Sequence, residues 1–328
     1  MSGPLLKVED LTVDFATPQG VVRAVDGVSF VLKQGEVLGL VGESGSGKTV
    51  TCRALMRLLP SRRARIVSGA ASIDGIDLMA LGEAEMQHVR GDTIGMIFQN
   101  PMTHLNPVMM IGDQIAEPLR VHESMTRKEA MERAVDLLRQ VGIPDPGTRL
   151  KSYPHELSGG MRQRAMIAAA LACKPKLLIA DEPTTALDVT VQAQILRLLL
   201  NLRDRTGLAI ILITHDLAVV AQTCDSIAVM YAGRIVERAA KRDLLSRPLH
   251  PYTEGLIGSQ PGAAPPGEEL PSIPGQPPSL VALPSGCRFR PRCRYAESRC
   301  EVERPPLEEA WAGRATACLR WRHLAHAP

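Results

Sequence analysis

The glycine-rich run GESGSGKT at 42–49 constrains the fold most strongly, because it follows the apolar run VLGLV at 37–41 and opens a helical pattern at 48–59. Glycine is needed where backbone amides turn inward around phosphate oxygens, since a Cβ atom would block their approach. A strand, a glycine-rich turn and a helix in this order predict a phosphate-binding loop (P-loop). Lys48 would reach the β- and γ-phosphates of a nucleotide, and Thr49 would ligate Mg²⁺. The complete motif in this context disfavours an ordinary surface turn.

Three more apolar runs extend this pattern, and each is short enough to be a strand buried on both faces of a parallel sheet. Those runs are TIGMIF at 93–98, LLIA at 177–180 and AIILIT at 209–214. A long helical pattern at 188–206 follows the second of these runs. Alternating strands and helices predict an α/β fold with a doubly wound sheet.

Two regions depart from the alternation of strands and helices. Residues 5–36 contain LTVDF and VSFVL, whose alternation predicts an antiparallel β arm. From about 101 to 175 the helical patterns 127–141 and 160–173 occur with no strand between them. This stretch therefore predicts a helical subdomain inserted into the α/β core.

The last quarter of the chain differs in composition. Fourteen of the 25 prolines and four of the 7 cysteines lie from Pro248 onward. We therefore predict a domain boundary near 247, with residues 1–247 forming the first domain and 248–328 a small C-terminal domain. The proline-rich segment 261–284 predicts a connector, because proline cannot continue a helix or a central strand.

Composition also excludes several classes of protein. Lys and Arg number 38 against 35 Asp and Glu, and aromatic residues make up 3% of the chain, which disfavours a nucleic-acid-binding protein. The first ten residues, MSGPLLKVED, lack a basic segment followed by an apolar one, so we expect no secretory signal. The apolar runs are far shorter than the roughly 20 residues that cross a bilayer. A cytosolic protein without its own membrane span is expected.

Two further motifs carry candidate chemistry. The apolar run from Lys176 ends in Asp181 and Glu182, a common pattern that becomes informative beside a P-loop. Asp181 suits a Mg²⁺ contact, and Glu182 could polarise the attacking water as a general base. Ser158, in LSGGM at 157–161, could cap the following helix or help to form a second phosphate-binding helix N-terminus. The residues alone leave those two interpretations of Ser158 open.

Together these motifs resemble those of the ATP-binding cassette (ABC) family and occur in the same order as in that family. The resemblance extends from residue 5 to residue 247. The resemblance implies a P-loop NTPase of the ABC nucleotide-binding type, with a RecA-like core, the antiparallel β arm and the helical subdomain. The matching motifs are Walker A at 42–49, the Q-loop glutamine Gln99 in MIFQNP, the signature LSGGM at 157–161, Walker B at 177–182, the D-loop Ala186-Leu187-Asp188 and the switch histidine His215 in ITHD.

The resemblance also implies roles for individual residues. Two subunits would enclose two ATP molecules head to tail, with Glu182, Gln99 and His215 as catalytic residues and with Thr49, Gln99 and Asp181 at Mg²⁺. Met161 departs from the glutamine common in the family, and its side chain cannot donate a hydrogen bond to the ribose. The ATP contacts would come from Phe15, Gly42, Ser44, Gly45, Ser46, Gly47, Lys48, Thr49, Val50, Gln99 and His215, and across the dimer from Ser158, Gly159, Gly160, Met161 and Arg149.

Two of these assignments have simpler alternatives. Phe15 lies where the family places an aromatic ring against adenine, but a single phenylalanine on an alternating strand can equally belong to the core. Arg149 could reach the nucleotide of the opposite subunit or simply be a solvated surface charge.

Three segments narrow the resemblance to the ATPases of bacterial dipeptide and oligopeptide importers: 97–119, 153–164 and 247–261. Such ATPases work as a heterodimer with a second, related ABC ATPase on the cytoplasmic face of the inner membrane. Two transmembrane permease subunits and an extracytoplasmic peptide-binding protein complete the assembly. The residues after Gln99 would receive the permease, and nucleic acid is not an expected partner. A nickel or glutathione importer, a soluble ABC ATPase and a redox- or iron-sensing regulatory subunit are the alternatives.

Four cysteines occur in the C-terminal segment with the spacing C-x5-C-x6-C-x17-C: Cys287, Cys293, Cys300 and Cys318. In a cytosolic protein they favour a metal site over disulfides. The spacing has neither the paired C-x2-C of zinc ribbons nor the bacterial ferredoxin pattern, so it leaves zinc, iron–sulfur and no metal open. The resemblance to dipeptide-importer ATPases, some of which hold a [4Fe-4S] cluster, favours iron–sulfur, with zinc as the alternative. The other cysteines, Cys52, Cys173 and Cys224, are predicted to be packing residues.

Overall fold

A computed structural model describes residues 3–59, 63–185, 187–260 and 271–324. Ala186 of the D-loop and residues 261–270 of the proline-rich connector lie outside the described residues. The chain divides into two compact units. Unit 1 contains 1–32, 36–79 and 214–328, and unit 2 contains 33–35 and 80–213.

Within the described ranges the elements follow one another in this order. The strands are β1 Leu6–Thr17, β2 Gly20–Leu32, β3 Val37–Val41, β4 Ala64–Ile73, β5 Ile76–Asp77, β6 Ile94–Ile97, β7 Leu177–Asp181, β8 Ala209–Thr214, β9 Ser226–Tyr231, β10 Arg234–Ala240, β11 Glu308–Trp311 and β12 Arg314–Thr316. The helices are α1 Lys48–Leu55, α2 Glu83–His88, α3 Pro101–His104, α4 Ile111–His122, α5 Arg127–Gln140, α6 Pro146–Arg149, α7 Gly159–Ala170, α8 Val189–Thr206, α9 Leu217–Thr223, α10 Lys241–Ser246, α11 Pro251–Gly258, α12 Arg299–Val302 and α13 Trp321–Leu324.

The antiparallel β arm predicted over 5–36 is confirmed in unit 1. Strands β1 and β2 pair antiparallel from Leu6 opposite Leu32 to Thr17 opposite Gly20. Strand β4 pairs with the other edge of β1, and β5 with β4, which gives a four-stranded sheet in the order β2-β1-β4-β5. Apolar side chains such as Leu6, Val8 and Val13 are buried, so burial of one face stabilises the arm.

The second sheet of unit 1 runs in the order β11-β12-β10-β9-β3. Strand β3 is parallel to β9, whereas β9, β10, β12 and β11 pair antiparallel in sequence. Strand β12 comes from the cysteine-containing segment, and its Thr316 pairs with Glu237 of β10. The domain boundary predicted near 247 therefore falls inside unit 1.

Unit 2 contains three parallel strands in the order β8-β7-β6. Every residue of these strands is buried, as the apolar runs predicted. In the described stretch between β6 and β7, five helices, α3 to α7, follow one another without a strand, which confirms the predicted helical insertion. Helix α4 packs against α5 and α7.

Two predicted helices start and end at identifiable residues. Helix α5 begins with a capping box: Thr126 Oγ1 accepts from the Glu129 amide at 3.3 Å, and Glu129 Oε2 accepts from the Thr126 amide at 2.9 Å. The helix predicted over 48–59 ends earlier, at Leu55. The reason is that Arg57 adopts a left-handed backbone conformation, with φ of +53°, which a helix cannot contain.

Among the described residues, no helix is both long enough and apolar enough to cross a bilayer.

Candidate functional site

The P-loop lies in unit 1 between the fully buried strand β3 and helix α1. Gly42 has φ of +150°, and a Cβ atom there would lie 2.1 Å from the backbone oxygen of Met230. Gly47, which precedes the first residue of α1, has φ of +102°, and its Cβ atom would lie 2.5 Å from the oxygen of Ala24. Because both positions exclude any side chain, the loop requires the glycines from which it was predicted.

Lys48 is buried inside this loop and is 5% exposed. Its Nζ atom donates hydrogen bonds to the carbonyl oxygens of Gly42 at 2.7 Å and of Glu43 at 3.0 Å. The ammonium is therefore held against the loop's own backbone, where nucleotide phosphates could take over these contacts. Thr49 and Val50 follow in the first turn of α1 and are partly exposed, whereas Ser44 and Gly45 are exposed.

In unit 2 two acidic residues lie at the end of strand β7, of which the first is buried and the second has an unusual backbone conformation. Asp181 is 1% exposed. Glu182 has φ of +47°, a conformation that non-glycine residues rarely adopt. Its amide donates to the carbonyl of Ile213 in β8 at 3.0 Å, which fixes the strained turn to the sheet. A strained residue held in this way is typical of a functional position.

Two side chains of unit 2 donate hydrogen bonds to the carboxylate of Glu182. Its Oε2 atom accepts from Gln99 Nε2 at 2.9 Å and from Thr185 Oγ1 at 2.9 Å. Two residues predicted as catalytic are thus brought together, although 83 positions separate them in the chain. Thr185 was missed by the sequence analysis, and its position three residues after Glu182 in the turn DEPTT was the available signal. This arrangement orients the carboxylate for use as a base.

The signature LSGGM lies at the start of α7. Ser158 Oγ accepts from the amide of Met161 at 3.3 Å, so the prediction of Ser158 as a helix cap is confirmed. Ser158 and Gly159 are exposed, and Gly160 and Met161 are partly exposed. Arg149 ends α6, and its Nε atom is buried with no hydrogen-bond partner among the described residues. A role of these residues toward a second subunit's nucleotide stays a prediction.

His215 and Phe15 both belong to unit 1. His215 is exposed and follows β8, directly before Asp216, which caps α9 by accepting from the amide of Ala218 at 2.8 Å. Phe15 on β1 is partly exposed rather than buried in the core. The role of His215 at the γ-phosphate and that of Phe15 at adenine stay predictions.

The four C-terminal cysteines are brought together, although up to 31 positions separate them. They line one small cavity, and none forms a disulfide. Burial raises the pKa of the Cys318 thiol to about 12, and negative charge on any of the other three would raise that pKa further. Burial also raises the pKa values of Cys287 and Cys293. The cavity is lined by His250, Pro251, Cys287, Phe289, Arg290, Cys293, Tyr295, Cys300, Cys318, Leu319 and Arg320.

The described residues contain no group of three or more His, Cys, Asp or Glu side chains arranged to hold a metal ion.

The predicted packing role of the other three cysteines is confirmed, because Cys52, Cys173 and Cys224 are all buried. Burial raises the pKa of Cys173 to about 11 and that of Cys224 to about 12, so both thiols remain neutral.

Comparison with known proteins gives one family match in the N-terminal part of the chain and another in its C-terminal part. The family model described as "ABC transporter" matches residues 25–185, and the model described as "Oligopeptide/dipeptide transporter, C-terminal region" matches residues 236–300. Among solved structures, the dimeric post-hydrolysis ATP-binding cassette MJ0796 with ADP and Pi matches with a TM-score of 0.65. It is 28% identical over 72% of this chain and 99% of that chain.

Curated relatives match nearly the whole chain. The probable peptide ABC transporter ATP-binding protein y4tR of Sinorhizobium fredii is 54% identical, over 96% of this chain and 95% of that protein. The oligopeptide transport ATP-binding protein OppD of Escherichia coli is 52% identical, over 96% of this chain and 93% of that protein. The chain therefore belongs to the ABC transporter ATPases, in the group that carries the oligopeptide/dipeptide transporter C-terminal region.

Proposed function

We propose that this chain hydrolyses ATP to energise the import of dipeptides and oligopeptides through a membrane-bound ABC transporter. The observation that carries the proposal is that similarity to peptide-transport ATPases extends through the C-terminal region, beyond the part common to all ABC cassettes. The preformed P-loop and the oriented carboxylate of Glu182 supply the chemistry that an ATPase needs.

In this proposal the residues of the site divide phosphate binding, proton transfer and metal binding among them. Lys48 and the P-loop amides bind the phosphates, and Glu182 accepts a proton from the attacking water while Gln99 holds its carboxylate in place. Thr49, Gln99 and Asp181 are the residues that would hold Mg²⁺, which neutralises charge on the phosphates when bound. Ser158, Gly159, Gly160, Met161 and Arg149 would contact the ATP of the other subunit, so hydrolysis would require a dimer.

The proposed partners are a second, related ABC ATPase, two transmembrane permease subunits and an extracytoplasmic peptide-binding protein. The chain would associate with the cytoplasmic face of the inner membrane through the permeases. Met102 and Val108, which follow Gln99, are exposed apolar side chains and support permease contact in this region.

The test is ATP hydrolysis by the transporter reconstituted in lipid nanodiscs with its permeases, partner ATPase and binding protein. Addition of dipeptides or oligopeptides with the binding protein is expected to raise the rate severalfold, as substrate closes the catalytic dimer. Stimulation by nickel or glutathione, with no response to peptides, would replace the peptide substrate with the corresponding alternative. ATP hydrolysis at full rate by the isolated subunit would favour a soluble ABC ATPase.

We also propose that the cavity lined by Cys287, Cys293, Cys300 and Cys318 holds a [4Fe-4S] cluster, with a zinc ion as the alternative. Four thiols line this cavity, which is the ligand number of such a cluster, and binding would require them to move from their present arrangement into one coordination sphere. The raised pKa values of Cys287, Cys293 and Cys318 mean that ionisation of these thiols needs a nearby cation, which bound metal would provide. Arg290 and Arg320 at the cavity could offset the negative charge of a thiolate cluster.

Replacing Cys287 with serine is expected to remove most of the iron from anaerobically purified protein, because a cluster of this type uses four thiolates. The measurement is iron and acid-labile sulfide per chain, about four of each in the unmodified protein. Cys224→Ser is the matched control, since Cys224 is buried and does not line the cavity, and it should retain the iron. Anaerobic protein that contains zinc alone, or no metal, contradicts the cluster.

A further inference from the structure

Glu43, the second residue of the P-loop, is paired with the cysteine-containing C-terminal segment. Its carboxylate accepts two hydrogen bonds from Arg292, Nη1 to Oε2 at 2.7 Å and Nη2 to Oε1 at 3.0 Å. The side chain of Arg292 is 5% exposed and that of Glu43 is 27% exposed. Two parallel bonds between a guanidinium and a carboxylate form a strong and directional ion pair, here largely shielded from water.

The surroundings fix Arg292 in this position. Its Nε atom donates to the carbonyl of Pro274 at 2.8 Å, and its guanidinium carbon lies 5.9 Å from the ring centre of Tyr231. Arg292 immediately precedes Cys293, so the fold of the cysteine segment determines where the guanidinium lies. A buried arginine with this many contacts is not a mobile surface charge.

A second contact reaches the backbone of Glu43. The hydroxyl of Tyr252, in α11, accepts a hydrogen bond from the Glu43 amide at 2.8 Å. Tyr252 is fully buried, and its ring packs against those of Tyr231 and Phe289. Residues beyond 247 therefore hold Glu43 by both its side chain and its main chain.

The other side of Glu43 faces the P-loop lysine. The Glu43 carbonyl accepts from Lys48 Nζ at 3.0 Å and from the Ser46 amide at 3.2 Å. An unpaired carboxylate at this position would repel the nucleotide phosphates. Arg292 cancels that charge, and together with Tyr252 it holds the residue whose carbonyl accepts from the lysine.

We propose that Arg292 and Tyr252 are positioning residues for ATP binding, and that they act through Glu43. Without Arg292, the uncompensated carboxylate weakens binding of the triphosphate, while the groups that perform hydrolysis are unchanged. The inference rests on the ATPase activity of the family and is independent of the transported substrate and of any metal at the cysteines.

Arg292→Ala in the assembled transporter is expected to raise KM for ATP about tenfold or more and to change kcat less than about twofold, the pattern of lost binding rather than lost chemistry. Arg294→Ala is the matched control, because Arg294 is exposed and pairs with Glu254 instead. The control should leave both constants unchanged. An equal KM for the two variants would overturn the proposal.

The double variant Arg292→Ala with Glu43→Gln separates charge compensation from general structural damage. Removing the carboxylate should bring KM at least about threefold back toward the unmodified value, because the repulsive charge is gone. A purely structural role for Arg292 would leave the double variant as impaired as the single one, and that result would contradict the inference.

Two further variants cover the case in which Arg292→Ala does not fold. Arg292→Lys keeps the charge but loses the two-point contact, and it should raise KM about threefold. Tyr252→Phe removes only the acceptor of the Glu43 amide and should reduce the ATP-induced rise in melting temperature of the isolated chain. Normal values in both variants would also overturn the proposal.

Discussion

Replacing Glu182 with glutamine is expected to lower ATP turnover by the assembled transporter at least about 100-fold, within the range that a general base contributes. Glutamine has nearly the same shape as glutamate but cannot accept the proton of the attacking water. Since Gln99 and Thr185, which donate to the Glu182 carboxylate, can also bond an amide oxygen, these local contacts should survive. Binding of ATP should therefore change only a few fold.

Steady-state hydrolysis and equilibrium binding of ATP measure these two effects separately. The variant should also accumulate as a closed dimer with ATP, which size-exclusion chromatography of the ATPase pair would detect. Glu132→Gln is the control, because Glu132 is exposed on α5, outside the predicted site, and it should behave as the unmodified protein. Turnover at the normal rate in Glu182→Gln would disprove the assignment of the base.

Sequence patterns located the strands of the core within one or two residues. The apolar runs at 37–41 and 209–214 coincide with β3 and β8, because a strand buried on both faces must be apolar along its whole length. The P-loop was equally predictable, since Gly42 and Gly47 occupy backbone conformations and contacts that other residues cannot adopt. Local requirements of this kind are visible in a short stretch of sequence.

Contacts between distant segments were not predictable in the same way. The pairing of β12 with β10 depends on residues about 80 positions apart, and β12 itself is only three residues long. The Arg292 and Glu43 ion pair joins positions 249 apart. Arginine and glutamate are usually exposed, so nothing in the local pattern marks these two as an ion pair that is largely shielded from water. Such contacts become visible only in the folded chain. Here one of them connects the C-terminal segment to the P-loop.

Replacing Lys48 with alanine is expected to weaken ATP binding about 100-fold or more, because two charge-assisted hydrogen bonds to phosphate contribute about 1.5–3 kcal/mol each. The same change should not destabilise the nucleotide-free protein. Lys48 is a buried cation at the first position of α1, where the helix dipole disfavours positive charge. We therefore expect Lys48 to contribute to nucleotide binding more than to folding.

Thermal unfolding with and without ATP distinguishes these two contributions. In Lys48→Ala the melting temperature without nucleotide should equal or exceed that of the unmodified chain, and the rise caused by millimolar ATP should disappear. Lys7→Ala is the control, since Lys7 forms an exposed pair with Glu9 at 2.9 Å and such pairs contribute little. A lower melting temperature without nucleotide would mean that Lys48 supports the fold, whereas a retained ATP effect would show that the P-loop binds phosphate without its lysine.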